Sequence, residues 1–161
     1  MSWHEGLKLT WNDFKGPKNT KSDAVAVTAS GITFSYAVRK SNSRIVDFKV
    51  VVEADFYPEK SWVVKELADD YILAHEQLHF DITELHVRKL RKQISEVKVS
   101  QDLGGVLNTL HQNMNKELAE MQQKYDTETN NSINKEAQEK WAKFVAAELK
   151  KYDDFTPKRQ L

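Results

Sequence analysis

Ile72-Leu73-Ala74-His75-Glu76-Gln77-Leu78-His79-Phe80-Asp81-Ile82 is the stretch on which the reading of the fold turns. It lies in a longer pattern: apolar residues at Leu67, Tyr71, Leu78, Ile82, Leu85, Leu90 and Ile94 recur at spacings of mostly three, four and seven, the period of one face of an α-helix. Working back from it, Ser61 has the chemistry of an N-cap. The spacing therefore predicts a long helix that begins near Trp62, carries Glu66 in its early turns and runs into the mid-nineties. Working forward, Gly104-Gly105 breaks the chain and Val106 to about Glu128 reads as a second helix. After the polar run Thr129-Asn130-Asn131-Ser132, a third helix spans about Asn134 to Tyr152.

Upstream the period changes to two. Ala24 to Thr28, Gly31 to Val38 and Phe48 to Ala54 alternate apolar with polar residues and are rich in β-branched and aromatic side chains, so they read as three strands of a small sheet. Ser30-Gly31 and Lys40-Ser41-Asn42-Ser43 are the expected turns between them. The expected class is α+β: a small antiparallel or mixed sheet within residues 1–60, then three long helices within residues 61–161, the whole forming one domain of 161 residues.

Composition narrows the functions that such a chain can have. Its 24 Lys and Arg against 24 Asp and Glu leave a formal net charge of zero, which gives no overall field toward nucleic acid, and no nucleic-acid partner is expected. There is no cysteine, which excludes disulfide scaffolds, thiolate metal ligands and thiol nucleophiles; a bound metal has to be held by His, Asp or Glu. Apolar runs such as Ile72-Leu73-Ala74 fall far short of the roughly 20 residues that cross a bilayer, so no membrane span is expected. Met1 to Gly6 has no charged region followed by an apolar core, so the chain shows no export signal; the protein is either cytoplasmic or has had its signal removed.

Within the first helix, His75 and His79 stand four residues apart and therefore on one face, close enough to share a tetrahedral Zn²⁺. Glu76 then lies beside the ion and takes the role of general base toward a zinc-bound water, the arrangement of a zincin-like hydrolase acting on peptides. The structural alternative is a solvated helix with two unrelated histidines, which the apolar Ile72-Leu73-Ala74 lead-in and the uncharged Gln77-Leu78 argue against. A third protein ligand has to come from elsewhere. His86 lies about 10 Å further along the same helix, too far to share one ion, and is expected at the surface or behind the site. Asp81 and Glu84 fall off the His75–His79 stripe. The best supplier is Tyr125-Asp126-Thr127-Glu128-Thr129, where Asp126 and Glu128 are both suitable and both also fit a solvated helix end. Tyr125 has the chemistry of an oxyanion donor, although burial in the core is the commoner fate of a tyrosine. His4 and His111 read as incidental.

The chain resembles a bacterial family of predicted secreted zinc-dependent proteases that is catalogued as a domain of unknown function. The resemblance rests on Leu9-Thr10-Trp11-Asn12-Asp13-Phe14-Lys15-Gly16, Ala26-Val27-Thr28, Gly31-Ile32 and Ser61-Trp62-Val63. It continues through His75 to Ile82 and on to Tyr125-Asp126, Thr129, Gln138 and Trp141. It implies a zincin-like fold, a zinc site on His75 and His79, a peptide or protein substrate, and a periplasmic or secreted location with the signal peptide already removed. In that family a histidine commonly follows the threonine, where this sequence has Asn131. If that histidine is a ligand, this chain has replaced or lost it, and a catalytically inactive binding or scaffold protein of the envelope is the alternative to a peptidase. Trp11 and Phe14 are expected to anchor the opening segment on the sheet, because neither can ligate a metal or act as a nucleophile.

Overall fold

A helix with apolar side chains on nearly every face has to be enclosed on all sides, and that requirement organises the molecule. In the computed structural model, which describes residues 1–157, α1 (Asp70–Ser95) runs through the centre and buries twelve residues, from His75 to Leu90. The last four residues of the expected domain lie outside the described ones.

The strands form two antiparallel pairs. β2 (Ser30–Ser41) and β3 (Arg44–Phe56) make one long hairpin, closed where Asn42 and Ser43 take left-handed backbone angles (φ 51° and 67°). β1 (Ala26–Val27) does not join it as a third strand; it pairs with β4 (Trp62–Val63). The link between the pairs is Ser61. Its fully buried hydroxyl accepts from the Ala29 N–H (2.9 Å) and donates to the Tyr57 carbonyl (2.8 Å). Ser61 therefore does not N-cap the long helix; it closes a 3-10 turn at Pro58–Lys60. A short strand and a 3-10 turn at Lys65–Leu67 follow it, and the cap of α1 is Asp69, whose Oδ1 accepts from the Ile72 N–H at 2.7 Å. Ser30-Gly31, expected as a turn, begins β2.

α2 (Leu103–Thr129) contains Gly104 and Gly105 in its first turn, so the break expected there falls upstream, after Ser95. At Gly104 a Cβ would stand 2.8 Å from the Tyr36 hydroxyl, so the hairpin's tyrosine lies close against the start of α2. α3 (Lys135–Lys151) starts at Asn134, whose Oδ1 accepts from the Ala137 N–H at 3.1 Å.

Two apolar clusters result, one on each side of α1. The first packs the hairpin's inner face on the helix through Val52, Ala54, Phe56 and Phe80, with Phe14 set edge-on to Phe56 at 5.2 Å and Trp11 behind it. Trp11 and Phe14 thus do anchor the opening segment. The second joins α1, α2 and α3 through Leu78, Ile82, Leu118, Tyr125, Trp141 and Val145. Burial of side chains of this size contributes roughly 1.5–3 kcal/mol each, so the three helices are held together beneath the His75–His79 stripe. No helix among the described residues is long and apolar enough to cross a membrane.

Candidate metal centre

One turn of α1 separates His75 from His79, and both imidazoles point at the last two turns of α2. There Asp126 meets them: its Oδ1 lies 3.0 Å from His75 Nε2 and 2.8 Å from His79 Nε2. The three candidate ligand atoms all lie within 4.8 Å of one another. A tetrahedral zinc with N and O ligands at about 2.0–2.2 Å sets its ligand atoms about 3.3–3.5 Å apart, so a small outward movement admits an ion. The side chains of His75 and His79 are 3% and 12% exposed, whereas Asp126 is 39% exposed. The group is therefore walled by protein behind the imidazoles and open in front.

Behind the imidazoles, each ring is held by a glutamine. His75 Nδ1 donates to Gln138 Oε1 at 2.8 Å, and the same oxygen accepts from the Tyr125 hydroxyl at 2.8 Å. His79 Nδ1 donates to Gln122 Oε1 at 2.5 Å, while Gln122 Nε2 donates to the His79 carbonyl at 2.8 Å, which fixes which way the amide faces. Since an amide oxygen only accepts, both Nδ1 atoms carry the proton. A neutral ring then presents a bare lone pair at Nε2, and two such lone pairs face a carboxylate oxygen at about 3 Å. That arrangement is repulsive unless a proton or a metal ion sits among the three. Burial alone pulls the His79 pKa down, but the bond to Asp126 and the charges of Glu76 and Asp126 outweigh it and the net shift is upward. Asp126 shows the converse: burial would raise its pKa, yet its bonds to the two histidines hold it well below the usual carboxylate range.

Glu76 is 5% exposed and accepts from the Thr28 hydroxyl at 2.6 Å. Burial raises its pKa above the ordinary glutamate value, more than His79, the Thr28 bond and His75 lower it. A cavity of about 610 Å³ opens over the group, lined by Ala24 to Thr28 and by Asn130 to Ile133.

The remaining candidates separate cleanly. Glu128 is exposed on the face of α2 turned away from the cleft, because a step of two residues along a helix reverses direction. Asn131 lies at the cleft rim. Tyr125 is fully buried with its hydroxyl committed to Gln138 and the His75 carbonyl (3.0 Å), and burial raises its pKa; it supports the ligands and is not available as an oxyanion donor. His86 is not at the surface. It is 1% exposed, with Nδ1 donating to the Ile82 carbonyl at 2.8 Å. Asp81 accepts from the Trp3 indole at 2.9 Å and from Gln77, away from the cleft. Glu84 is fully buried beside Arg88. His4 is exposed and His111 stacks on Phe34 at 4.5 Å. Gln122, Gln138 and Thr28 have no counterpart in the reading of the sequence as site residues: they are neutral, and only the tertiary fold brings them to α1.

No curated protein and no solved structure matches the chain. A match over residues 8–132, which takes in His75, Glu76, His79 and Asp126, shows that the chain belongs to the DUF922 family, described as bacterial protein of unknown function.

Proposed function

We propose that this chain is a zinc-dependent hydrolase acting on peptides, with His75, His79 and Asp126 as the protein ligands. The observation that carries this reading is the convergence of two Nε2 lone pairs and a carboxylate oxygen, each imidazole held at its far nitrogen by a glutamine oxygen. Metal-binding histidines are generally oriented in this way by a partner on the second nitrogen. Zinc bound there would lower the pKa of a water molecule toward 7 and polarise a substrate carbonyl.

The chain's own residues do the rest. Glu76 follows His75 directly and is buried at the cleft, and its raised pKa brings it nearer the range in which a general base both takes and returns a proton. Thr28 fixes the orientation of its carboxyl group. The extended segment from Ala24 lines the cleft and is tied to the body on one side, where the Val25 carbonyl accepts from the Val64 N–H at 2.7 Å. A substrate backbone would lie along this segment, as in strand addition. The resemblance noted above supports a periplasmic or secreted setting.

The alternative, an inactive envelope protein of the same fold, was motivated by Asn131. The nearness of Asp126 to both histidines supports the hydrolase reading over it, because Asp126 offers a third donor without a histidine at Asn131. Elemental analysis of the purified protein and of His75→Ala decides the metal: about one zinc per chain in the former and none in the latter is expected. Glu76→Gln is then expected to keep the zinc and lose cleavage of a peptide library. Absence of zinc from the wild type, or full turnover by Glu76→Gln, overturns the reading.

A further inference from the structure

Ile133 is 73% exposed, more than any other large apolar residue among those described, and it lines the cleft above the His-His-Asp group. The turn that carries it is unusual. Asn130, Asn131 and Ser132 all take left-handed backbone angles (φ 48°, 51° and 85°), a conformation that side chains with a Cβ rarely adopt in succession. Runs of this kind persist where the surroundings fix them, commonly at binding sites.

Here the fixing bonds are visible. The Asn131 N–H donates to the carbonyl of Asp126 itself at 3.0 Å, the Ile133 N–H to the Asn130 carbonyl at 3.2 Å, and the Asn134 N–H to the Thr129 carbonyl at 2.8 Å. The turn is therefore bonded to the backbone of the third candidate ligand and held between α2 and α3, which ties the backbone that carries Ile133 to the His-His-Asp group. Ala24, Val25, Ala26, Val27 and Ile72 line the same cleft. Among the described residues, the only charged one that lines the cleft apart from the His-His-Asp group and Glu76 is Asp23, and no lysine or arginine does.

We propose that Ile133 is a specificity-determining residue and that the cleft selects peptides with a large apolar side chain next to the bond that is cut. Such a side chain covers Ile133 and the small apolar lining, whereas a carboxylate would lose water there and meet no cationic side chain among the described lining residues. This inference rests on the metal-site reading above and specifies the substrate class for that site.

The test uses the zinc-loaded protein and titration calorimetry with three probes: acetohydroxamate, a dipeptide hydroxamate with a leucine side chain beside the chelating group, and its aspartate counterpart. The leucine probe is expected to bind about tenfold or more tighter than the aspartate one, the scale on which a small apolar contact discriminates. Ile133→Ser, a change at an exposed position, is expected to cut that preference severalfold with zinc content and acetohydroxamate affinity unchanged. If acetohydroxamate binds but the two dipeptides bind equally, or if the preference survives in Ile133→Ser, this inference is wrong and the metal site stands. If acetohydroxamate fails to bind, the metal-site reading falls and takes this inference with it.

Discussion

Gln138→Leu isolates the device that orients the proposed metal ligands. Gln138 is 6% exposed and its oxygen accepts two bonds, from His75 Nδ1 and from Tyr125, both 2.8 Å. Leucine is close to glutamine in volume and keeps the packing of α3, but it leaves the His75 Nδ1–H buried without an acceptor. Tyr125 retains the His75 carbonyl at 3.0 Å, so one donor is orphaned. The expected loss of stability in the metal-free protein is therefore about 1–3 kcal/mol, a fall in Tm of a few degrees for a domain of this size. Zinc affinity should drop about 10- to 100-fold, or roughly 1.4–2.8 kcal/mol, the usual effect of removing such a partner. Competition with a fluorescent chelator at constant pH measures the second quantity, and thermal unfolding with excess chelator measures the first. Gln138→Glu restores an acceptor and should recover most of the zinc affinity. A leucine variant that holds zinc within twofold of the wild type would refute the role given to Gln138 and weaken the lone-pair argument for the metal.

Glu84 should make stability fall with rising pH. Its Oε1 lies 3.0 Å from Arg88 Nε and 3.6 Å from Arg91 Nη1, its other oxygen has no partner among the described residues, and burial pushes its pKa from 4.5 up to about 7 against the pull of both arginines. Because the folded value is the higher one, its contribution is fully present below about 4.5 and is lost as the pH rises through about 7, in all about 3 kcal/mol. Urea unfolding of Glu84→Gln should show a flatter dependence across that window; an unchanged slope counts against the assignment. Gly16→Ala should cost about 1–3 kcal/mol, since its Cβ would stand 2.6 Å from the Glu59 carbonyl oxygen and 2.9 Å from that of Ser61, with only backbone to yield. A variant of wild-type stability would show that this loop moves freely.

The helical half was legible because α1, α2 and α3 each keep a 3.6-residue period over many turns, and local errors arose where one residue type serves two purposes. A serine before an apolar run is a good cap, and nothing local to Ser61 tells that its hydroxyl instead joins Ala29 to Tyr57. Similarly, Ala24 to Thr28 alternates as a strand should, but the choice of Trp62-Val63 as its partner is made by non-local packing. The choice between Asp126 and Glu128 had no local signal. The buried residues Leu107, Met114, Leu118, Tyr125 and Thr129 define the inner face of α2, and Asp126 and Glu128 flank that face on opposite sides, so only the place of α1 against α2 decides which of them meets the histidines. Gln138, likewise, is an amide in a helix 63 residues from its partner, and neither charge nor period marks it.

That distance has a consequence for how the protein comes into being. Synthesis runs from the N-terminus, so His75 and His79 leave the ribosome first, Asp126 some fifty residues later, and the glutamine that fixes the first imidazole last. On the metal-centre proposal, the half-built group would take up ions in geometries that the finished protein disfavours until α3 docks. The docking of the C-terminal helix, through Gln138, Trp141 and Val145, would then act as a final selection step in maturation, and a cell that exports the chain unfolded would defer metal choice to the compartment where it folds.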